Sequence, residues 1–553
     1  MDNQTKTCKK CQNNFELDQD DFSFYEKMKV PVPEICPLCR QQWRTLFRNF
    51  KTLYKRPSSK SGEMIITMYN PDVPFPVWDI AEWWADDWEA MDYGIELDLS
   101  KRFTDQMKEL SDKVPRFSLM NTKSENCEYS NMTLRSKNCY LVFGCVEDEN
   151  CDYGHIVWYS KDSVDNLYLN KSEFCYECVD CLDSNRLLYS QECEACVDSV
   201  GLYDCRGCTN CIGCVGLRQQ SYHIFNEKVS KEDYNEFLKK YPLSEESTIL
   251  YILGKREELK KKIPARVVYG SHNEDVLGDH IYHSHNVKYS FDVKKGENSR
   301  YCYTSGNLSE SYDVSFNPNI SYGYQTLAST GSANLIGTHL VHDSNYVYYS
   351  DSCNNSSYLF GCFGLRNKKY CILNKQYTEE EYKELFPKII ENMEKHGDWG
   401  NFFPVSMCPF GYNESIASEY MPLKKEEAIA LGFTWRYDIP KTMGQENCSY
   451  NDLPKDPELY NDELLSKILK CSLCDKNYKL IPREITFYKR MKIAIPHKCF
   501  NCRHQARMNM RNPRILNEIT CASCGVKTLT TYPKEKHNLY KIYCEECYKM
   551  EVY

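Results

Sequence analysis

Cys175-Tyr-Glu-Cys178-Val-Asp-Cys181 and Cys205-Arg-Gly-Cys208-Thr-Asn-Cys211-Ile-Gly-Cys214 are the stretches from which the fold is read. A step of six residues from Cys127 meets Thr133, Cys139, Cys145, Cys151, Val157, Ser163, Leu169, Cys175, Cys181, Leu187, Cys193, Ser199, Cys205 and Cys211. Nine of these fifteen are cysteine and none is charged. A longer spacing of 18 relates Cys175, Cys193 and Cys211, and likewise Cys178, Cys196 and Cys214. Short β-rich segments (Tyr140-Leu-Val-Phe143, Ile156-Val-Trp158-Tyr159, Leu167-Tyr-Leu169) alternate with Asn, Asp, Ser and Gly. The pattern predicts a parallel β-solenoid in which small buried cysteines stack from rung to rung, with an 18-residue coil suiting a three-sided helix of hexads.

The block ends in Cys214-Val-Gly-Leu-Arg218 through Tyr222 and Asn226, and a second block repeats that ending as Cys362-Phe-Gly-Leu-Arg366 through Tyr370 and Asn374, at an offset of 148. The second copy keeps tyrosine and asparagine rungs but few cysteines, so cysteine is not indispensable to the coil.

The ends of the chain follow another rule. Cys8-x-x-Cys11 and Cys36-x-x-Cys39 recur at an offset of 463 as Cys471-x-x-Cys474 and Cys499-x-x-Cys502, each with 24 residues between the pairs. Phe24-Tyr25, Lys27-Met28-Lys29, Pro33 and the series Arg40, Arg44 and Arg48 recur as Phe487-Tyr488, Arg490-Met491-Lys492, Pro496 and Arg503, Arg507 and Arg511. A third quartet, Cys521, Cys524, Cys544 and Cys547, has a spacer of 19 residues. Paired knuckles of this kind place four thiolates around one ion, so three zinc sites are expected, two in treble-clef fingers and one in a zinc ribbon.

The resulting division of the 553-residue chain is a finger over 1–60, an α+β linker domain over 61–120, solenoid blocks over 121–229 and 271–375 separated by a helical connector over 230–270, a helical and irregular segment over 376–465, a second finger over 466–515 and a ribbon over 516–553. The fold class is mainly β, with helical insertions. The 31 cysteines, an odd total without an export signal or long apolar run, read as reduced thiols and metal ligands in a cytoplasmic protein, with no membrane partner.

Charge is divided as sharply as cysteine. Residues 1–60 carry 12 Lys+Arg against 7 Asp+Glu, residues 471–553 carry 16 against 7, and the remainder has a net charge of −23. Basic ends on an acidic body suggest a polyanionic partner. Arg40, Arg44 and Arg48, and Arg503, Arg507 and Arg511, recur at i, i+4 and i+8 after the second knuckle, so they are expected as one helical ridge contacting phosphates. Tyr25, Trp43, Tyr54 and Tyr488 are aromatic neighbours suited to stacking on bases.

Other constellations carry less. The cysteine runs lack the three-residue final gap and following proline of a bacterial ferredoxin motif. His280, His283 and His285 read as strand residues beside Tyr282, and Glu82-Trp83-Trp84-Ala-Asp86-Asp87-Trp88-Glu89 as a helix packing onto its own domain rather than a sugar platform. No P-loop, dinucleotide fingerprint, nucleophile elbow or His-Glu-x-x-His is present. His155 and His223 are the candidates for a solenoid acyltransferase, and no catalytic residue or small-molecule substrate is assigned.

Phe24-Tyr25 through Cys36-Pro-Leu-Cys39-Arg40, then Tyr54-Lys-Arg56, Met68-Tyr69, Glu82-Trp83-Trp84, Asp92-Tyr93-Gly94 and the Asn-Cys-Tyr rungs, resemble a group of uncharacterised zinc-ribbon, cysteine-rich repeat proteins predicted from genomes of uncultivated bacteria. The resemblance covers most of the chain and implies architecture without an activity. The expectation is a non-enzymatic, zinc-dependent protein engaging RNA or a ribonucleoprotein. The alternative is a structural or assembly protein whose fingers cap the solenoid and contact other proteins.

Overall fold

A computed structural model describes residues 3–552. The chain divides into two compact units, each built from two separated segments: residues 1–118 with 268–438, and 119–267 with 439–553. Each unit holds one solenoid block and one long-spacer finger. The N-terminal finger therefore belongs with the second block, and the C-terminal finger with the first.

The coil has 12 residues. Leu167 pairs with Val179, Asn185 with Val197, and Ala333 with Asn345, all in parallel register. This corrects the 18-residue, three-sided expectation, and the reason lies in the backbone. Every third residue is left-handed: Asn138, Leu141, Gly144, Glu147, Asn150 and Tyr153 have φ between 49° and 68°, and the same step of three continues through both blocks, apart from one register shift at Leu277 and Gly278. Each such residue turns the chain, so four triplets close one coil. Even the 16-residue strand His285–Arg300 bends in this way, at Asn286, Tyr289, Asp292, Lys295 and Asn298.

Left-handed backbone is costly for residues with a Cβ, least so for Asn and Asp. Inter-coil hydrogen bonds offset the cost. The left-handed residue donates its N–H to the coil before (Asn138 to Glu125, Leu141 to Glu128, Tyr153 to Tyr140), and the residue preceding it donates to the coil after (Leu134 to Cys145, Lys137 to Asp148). That leaves the third residue of the triplet, which points inward.

Inward residues occur at every third position, twice as often as the hexad reading placed them. Ser130, Ser136, Val142, Asp148, Ser160, Asn166, Cys178, Ser184, Ser190 and Cys196 fill the skipped positions and are buried. Their polar atoms complete the backbone accounting. Ser136 accepts from the Asp148 N–H at 3.3 Å, Asp148 from Ser160 at 2.9 Å, Ser160 from Ser172 at 3.2 Å, Ser172 from Ser184 at 3.0 Å, and Ser184 from Cys196 at 3.2 Å. The hydroxyls and thiols in turn donate to the carbonyl two residues back, as Ser184 does to Leu182 and Cys175 to Glu173. Cysteine and serine thus do the same job in a core they share with Val142, Val157, Leu169 and Leu187.

In the unit containing residues 119–267, an antiparallel strand Glu227–Lys228 closes the block, and helices Lys231–Lys240 and Glu246–Lys260 follow. Strand Pro264–Arg266 then pairs with Lys541–Tyr543 of the C-terminal ribbon. In the other unit Lys375–Gln376 closes the block in the same manner, and helix Glu379–Lys395 follows. No helix among the described residues is long and apolar enough to cross a membrane.

Each long-spacer finger has two helices. We label them α1 (Gln19–Met28) and α2 (Pro37–Thr45) in the N-terminal finger, and α3 (Pro482–Met491) and α4 (Phe500–Met510) in the C-terminal one. The duplication reaches local backbone: α1 and α3 both end on a left-handed lysine, Lys29 and Lys492. The linker tryptophans are interior. Trp83 is fully buried, donates to the Pro115 carbonyl at 3.0 Å, and packs edge-on against Trp88 and Phe117.

Candidate metal centres and the docking of their helices

In every quartet the first knuckle ends on a left-handed residue (Gln12, Asp475 and Gly525), which turns two sulfurs toward a common point. The second knuckle opens directly into α2, α4 or the helix Glu545–Val552. Cys8, Cys11, Cys36 and Cys39 have all four Sγ atoms within 4.8 Å of one another, as do Cys471, Cys474, Cys499 and Cys502, and Cys521, Cys524, Cys544 and Cys547. Three cross-knuckle edges measure 3.7 Å (Cys11 to Cys36), 3.6 Å (Cys474 to Cys499) and 3.8 Å (Cys524 to Cys544). A tetrahedron with metal–sulfur bonds of about 2.3 Å has edges of about 3.8 Å, so the three groups fit a metal ion.

Backbone amides prepare the sulfurs for negative charge. Cys8 Sγ accepts from the N–H groups of Cys36 at 3.2 Å and Lys10 at 3.4 Å, and Cys521 Sγ from those of Cys544 at 3.2 Å and Ser523 at 3.4 Å. Hydrogen bonding from Cys39 brings the Cys36 thiol down to about 5. At Cys471 and Cys521 burial opposes ionisation, but backbone N–H groups outweigh it and hold both near 6. The partner thiols Cys39 and Cys502 move upward, Cys39 chiefly through its bond to Cys36 and Cys502 chiefly through burial.

The solenoid cysteines are arranged differently. Their S–H groups donate to carbonyls, Cys178 to Leu187 at 3.1 Å and Cys193 to Gln191 at 3.2 Å among them, and none of them belongs to a group of four converging sulfurs. No disulfide joins the described cysteines. His280 stacks on Tyr269, His283 on His272, and His285 lies 4.0 Å from Glu274, so these three rings share no ligand position. His155 is fully buried, and His223 is buried with its ring against the Ser221 carbonyl.

The arginines are not the exposed ridge that phosphate contacts were expected to use. Arg40, Arg44, Arg48, Arg503 and Arg507 are buried, and the Arg511 side chain is largely so. Arg48 and Arg511 lie just beyond the ends of α2 and α4. Arg40 Nε donates to Asp313 at 2.9 Å, and Arg44 Nη1 donates to Asp313 at 3.0 Å and to Gln325 at 2.8 Å. In the other unit Arg503 lies 2.8 Å and Arg507 3.0 Å from Asp165, and Arg507 is 2.9 Å from Glu177. Asp165 and Asp313 are equivalent at the offset of 148, as are Glu177 and Gln325.

The remainder of the docking surface is duplicated with the same register. The Tyr301 hydroxyl donates to Asp21 at 3.3 Å, and Tyr153 to Glu484 at 3.0 Å. Phe24 packs on Tyr324, and Phe487 on Tyr176. The proposed base-stacking residues are occupied too: Tyr25, Tyr54 and Tyr488 are buried, and Trp43 donates to the Phe403 carbonyl at 2.8 Å. Each finger thus lies on the flank of a block, along left-handed corner residues, and not over its end. Asp165 and Asp313 went unnoticed in the sequence, although their recurrence at the block offset was a signal for them.

No family model matches the chain, and no curated protein matches it.

Proposed function

We propose that this chain is a zinc-dependent structural scaffold, in which metal-organised fingers brace two β-solenoid blocks for assembly with other proteins. The observation that carries the reading is the engagement of Arg40 and Arg44 by Asp313, and of Arg503 and Arg507 by Asp165. These pairs give the basic fingers an acidic partner inside the molecule. The charge partition that suggested a polyanion therefore has an intramolecular counterpart.

Zinc is the ion this donor set favours: four thiolates, tetrahedral edges and a closed shell leave no position for a reacting ligand. Free cysteines throughout the coil, none in a disulfide, suit a reducing compartment such as the cytoplasm. RNA or a ribonucleoprotein is the competing partner, and contact through the six arginines would require their release from the solenoid.

Purification without chelator, followed by metal analysis and the ratio of 260 to 280 nm absorbance after a high-salt wash, tests the reading. Three zinc ions per chain without nucleic acid is the expected result. RNA that stays bound and is released with a steep salt dependence would replace the scaffold reading with the RNA one.

A further inference from the structure

The two docking surfaces differ at several charged positions, Glu177 against Gln325 among them, and one difference leaves an arginine without an anion. At the C-terminal finger Arg511 stacks over the Tyr168 ring, 4.0 Å from its centroid, and donates from Nε to the Asp180 carboxylate at 2.9 Å. The equivalents at the N-terminal finger are Arg48, Phe316 and Ala328. Arg48 keeps the aromatic stack, 4.8 Å from the Phe316 centroid and 4.5 Å from that of Phe50. Its carboxylate is missing because alanine stands where the other copy has aspartate.

Arg48 is 7% exposed, and its Nε and Nη1 are buried without a hydrogen-bond partner. Nε is the same atom that Arg511 uses toward Asp180. A guanidinium placed between two phenyl rings with no counter-charge is expensive to bury, whereas one paired with an anion is not. The surrounding titratable groups do not supply that charge. Burial lowers the Arg48 guanidinium against the Tyr420 hydroxyl, Lys51 pairs with Glu419 at 3.1 Å, and His339 with Asp351 at 3.2 Å. Arg48 instead adds to the effects of burial and His339 in holding His342 down to about 4.

We infer that the N-terminal docking surface binds a small oxyanion at Arg48, in the place that the Asp180 carboxylate takes in the other copy. A guanidinium edge presents parallel N–H donors to any planar or tetrahedral oxyanion, so sulfate and inorganic phosphate serve as probes.

The test is thermal unfolding of the full-length metal-loaded protein against sulfate or phosphate, with chloride at equal ionic strength as the reference. Wild type is expected to gain about 2–5 °C in a saturable manner over chloride. Ala328→Asp restores the internal carboxylate and should abolish the response, whereas Ala328→Ser should keep it. A response unchanged in Ala328→Asp, or no saturable difference between sulfate and chloride in wild type, would overturn the inference. Should Ala328→Asp fail to fold, equilibrium dialysis with labelled sulfate decides. One site per chain, lost in Arg48→Met, supports the inference, and equal binding by Arg48→Met refutes it.

Discussion

Arg44 donates from Nη1 to the Asp313 carboxylate at 3.0 Å, with both side chains fully buried. The same carboxylate accepts from Arg40, so one buried anion holds two cations of the first turns after a metal knuckle. Burial of such a group contributes little net stability compared with an apolar contact, but it fixes which surface the finger meets, because removing one partner leaves charge stranded in the interior.

Asp165→Asn should therefore destabilise its unit by about 3–5 kcal/mol, since Arg503 and Arg507 lose their shared counter-ion. Replacing the cluster together, as Asp165→Leu, Arg503→Met and Arg507→Met, should recover most of that loss. Chemical denaturation of both variants checks this. An Asp165→Asn protein as stable as wild type would show that the arginines are not held by the solenoid.

Removing metal should act on the fingers before the coil. Chelation is expected to release three ions per chain and to expose residues near the knuckles to protease, while the β signal in far-ultraviolet circular dichroism persists. The coil has its own inter-coil hydrogen bonds, independent of the quartets. Simultaneous loss of both signals would make the solenoid itself metal-dependent.

Asp148 gives a pH dependence with a definite sign. It points inward, and burial raises its carboxyl well above the usual range against the opposing Ser160 N–H and Cys145 thiol. The native state then binds a proton that the unfolded chain has released, so this group's contribution to stability falls as pH rises above about 4. Asp148→Asn removes that penalty, and its advantage over wild type should widen from pH 4 upward. Denaturation at several pH values measures it, and a constant difference would contradict the buried neutral carboxyl.

The core thiols should behave as small hydrogen-bonding fillers. Cys151 donates to the Glu149 and Ser160 carbonyls at 3.6 and 3.4 Å. Cys151→Ser, which keeps a donor, should cost within about 1 kcal/mol, and Cys151→Leu about 1–3 kcal/mol through overpacking. Thiol reagents should label Cys145 and Cys151 only on unfolding, since burial pushes both well above the ordinary thiol range. Rapid labelling of native protein would indicate an open core.

The β-solenoid was legible because a stacked coil repeats its requirements, and compact, mostly uncharged residues recur where the chain turns inward. The period was harder. Cysteine marks only some inward positions, whereas serine, asparagine and even Asp148 satisfy the same hydrogen bonds, so a step of six hid the underlying step of three. Asn138, Gly144, Asn150, Asp162 and Asp165 carried the missing signal as tolerant left-handed residues.

By itself the sequence determined the three cysteine quartets and the duplication, because each knuckle is a local turn whose chemistry depends on spacing alone. What the arginines meet was decided only by the tertiary structure. Arg44 and Asp313 are 269 residues apart, and a guanidinium looks the same in sequence whether its anion is a phosphate in solution or a carboxylate on a neighbouring coil. The fold brings the aspartate to it and removes the water, and that burial turns a basic ridge into an internal joint.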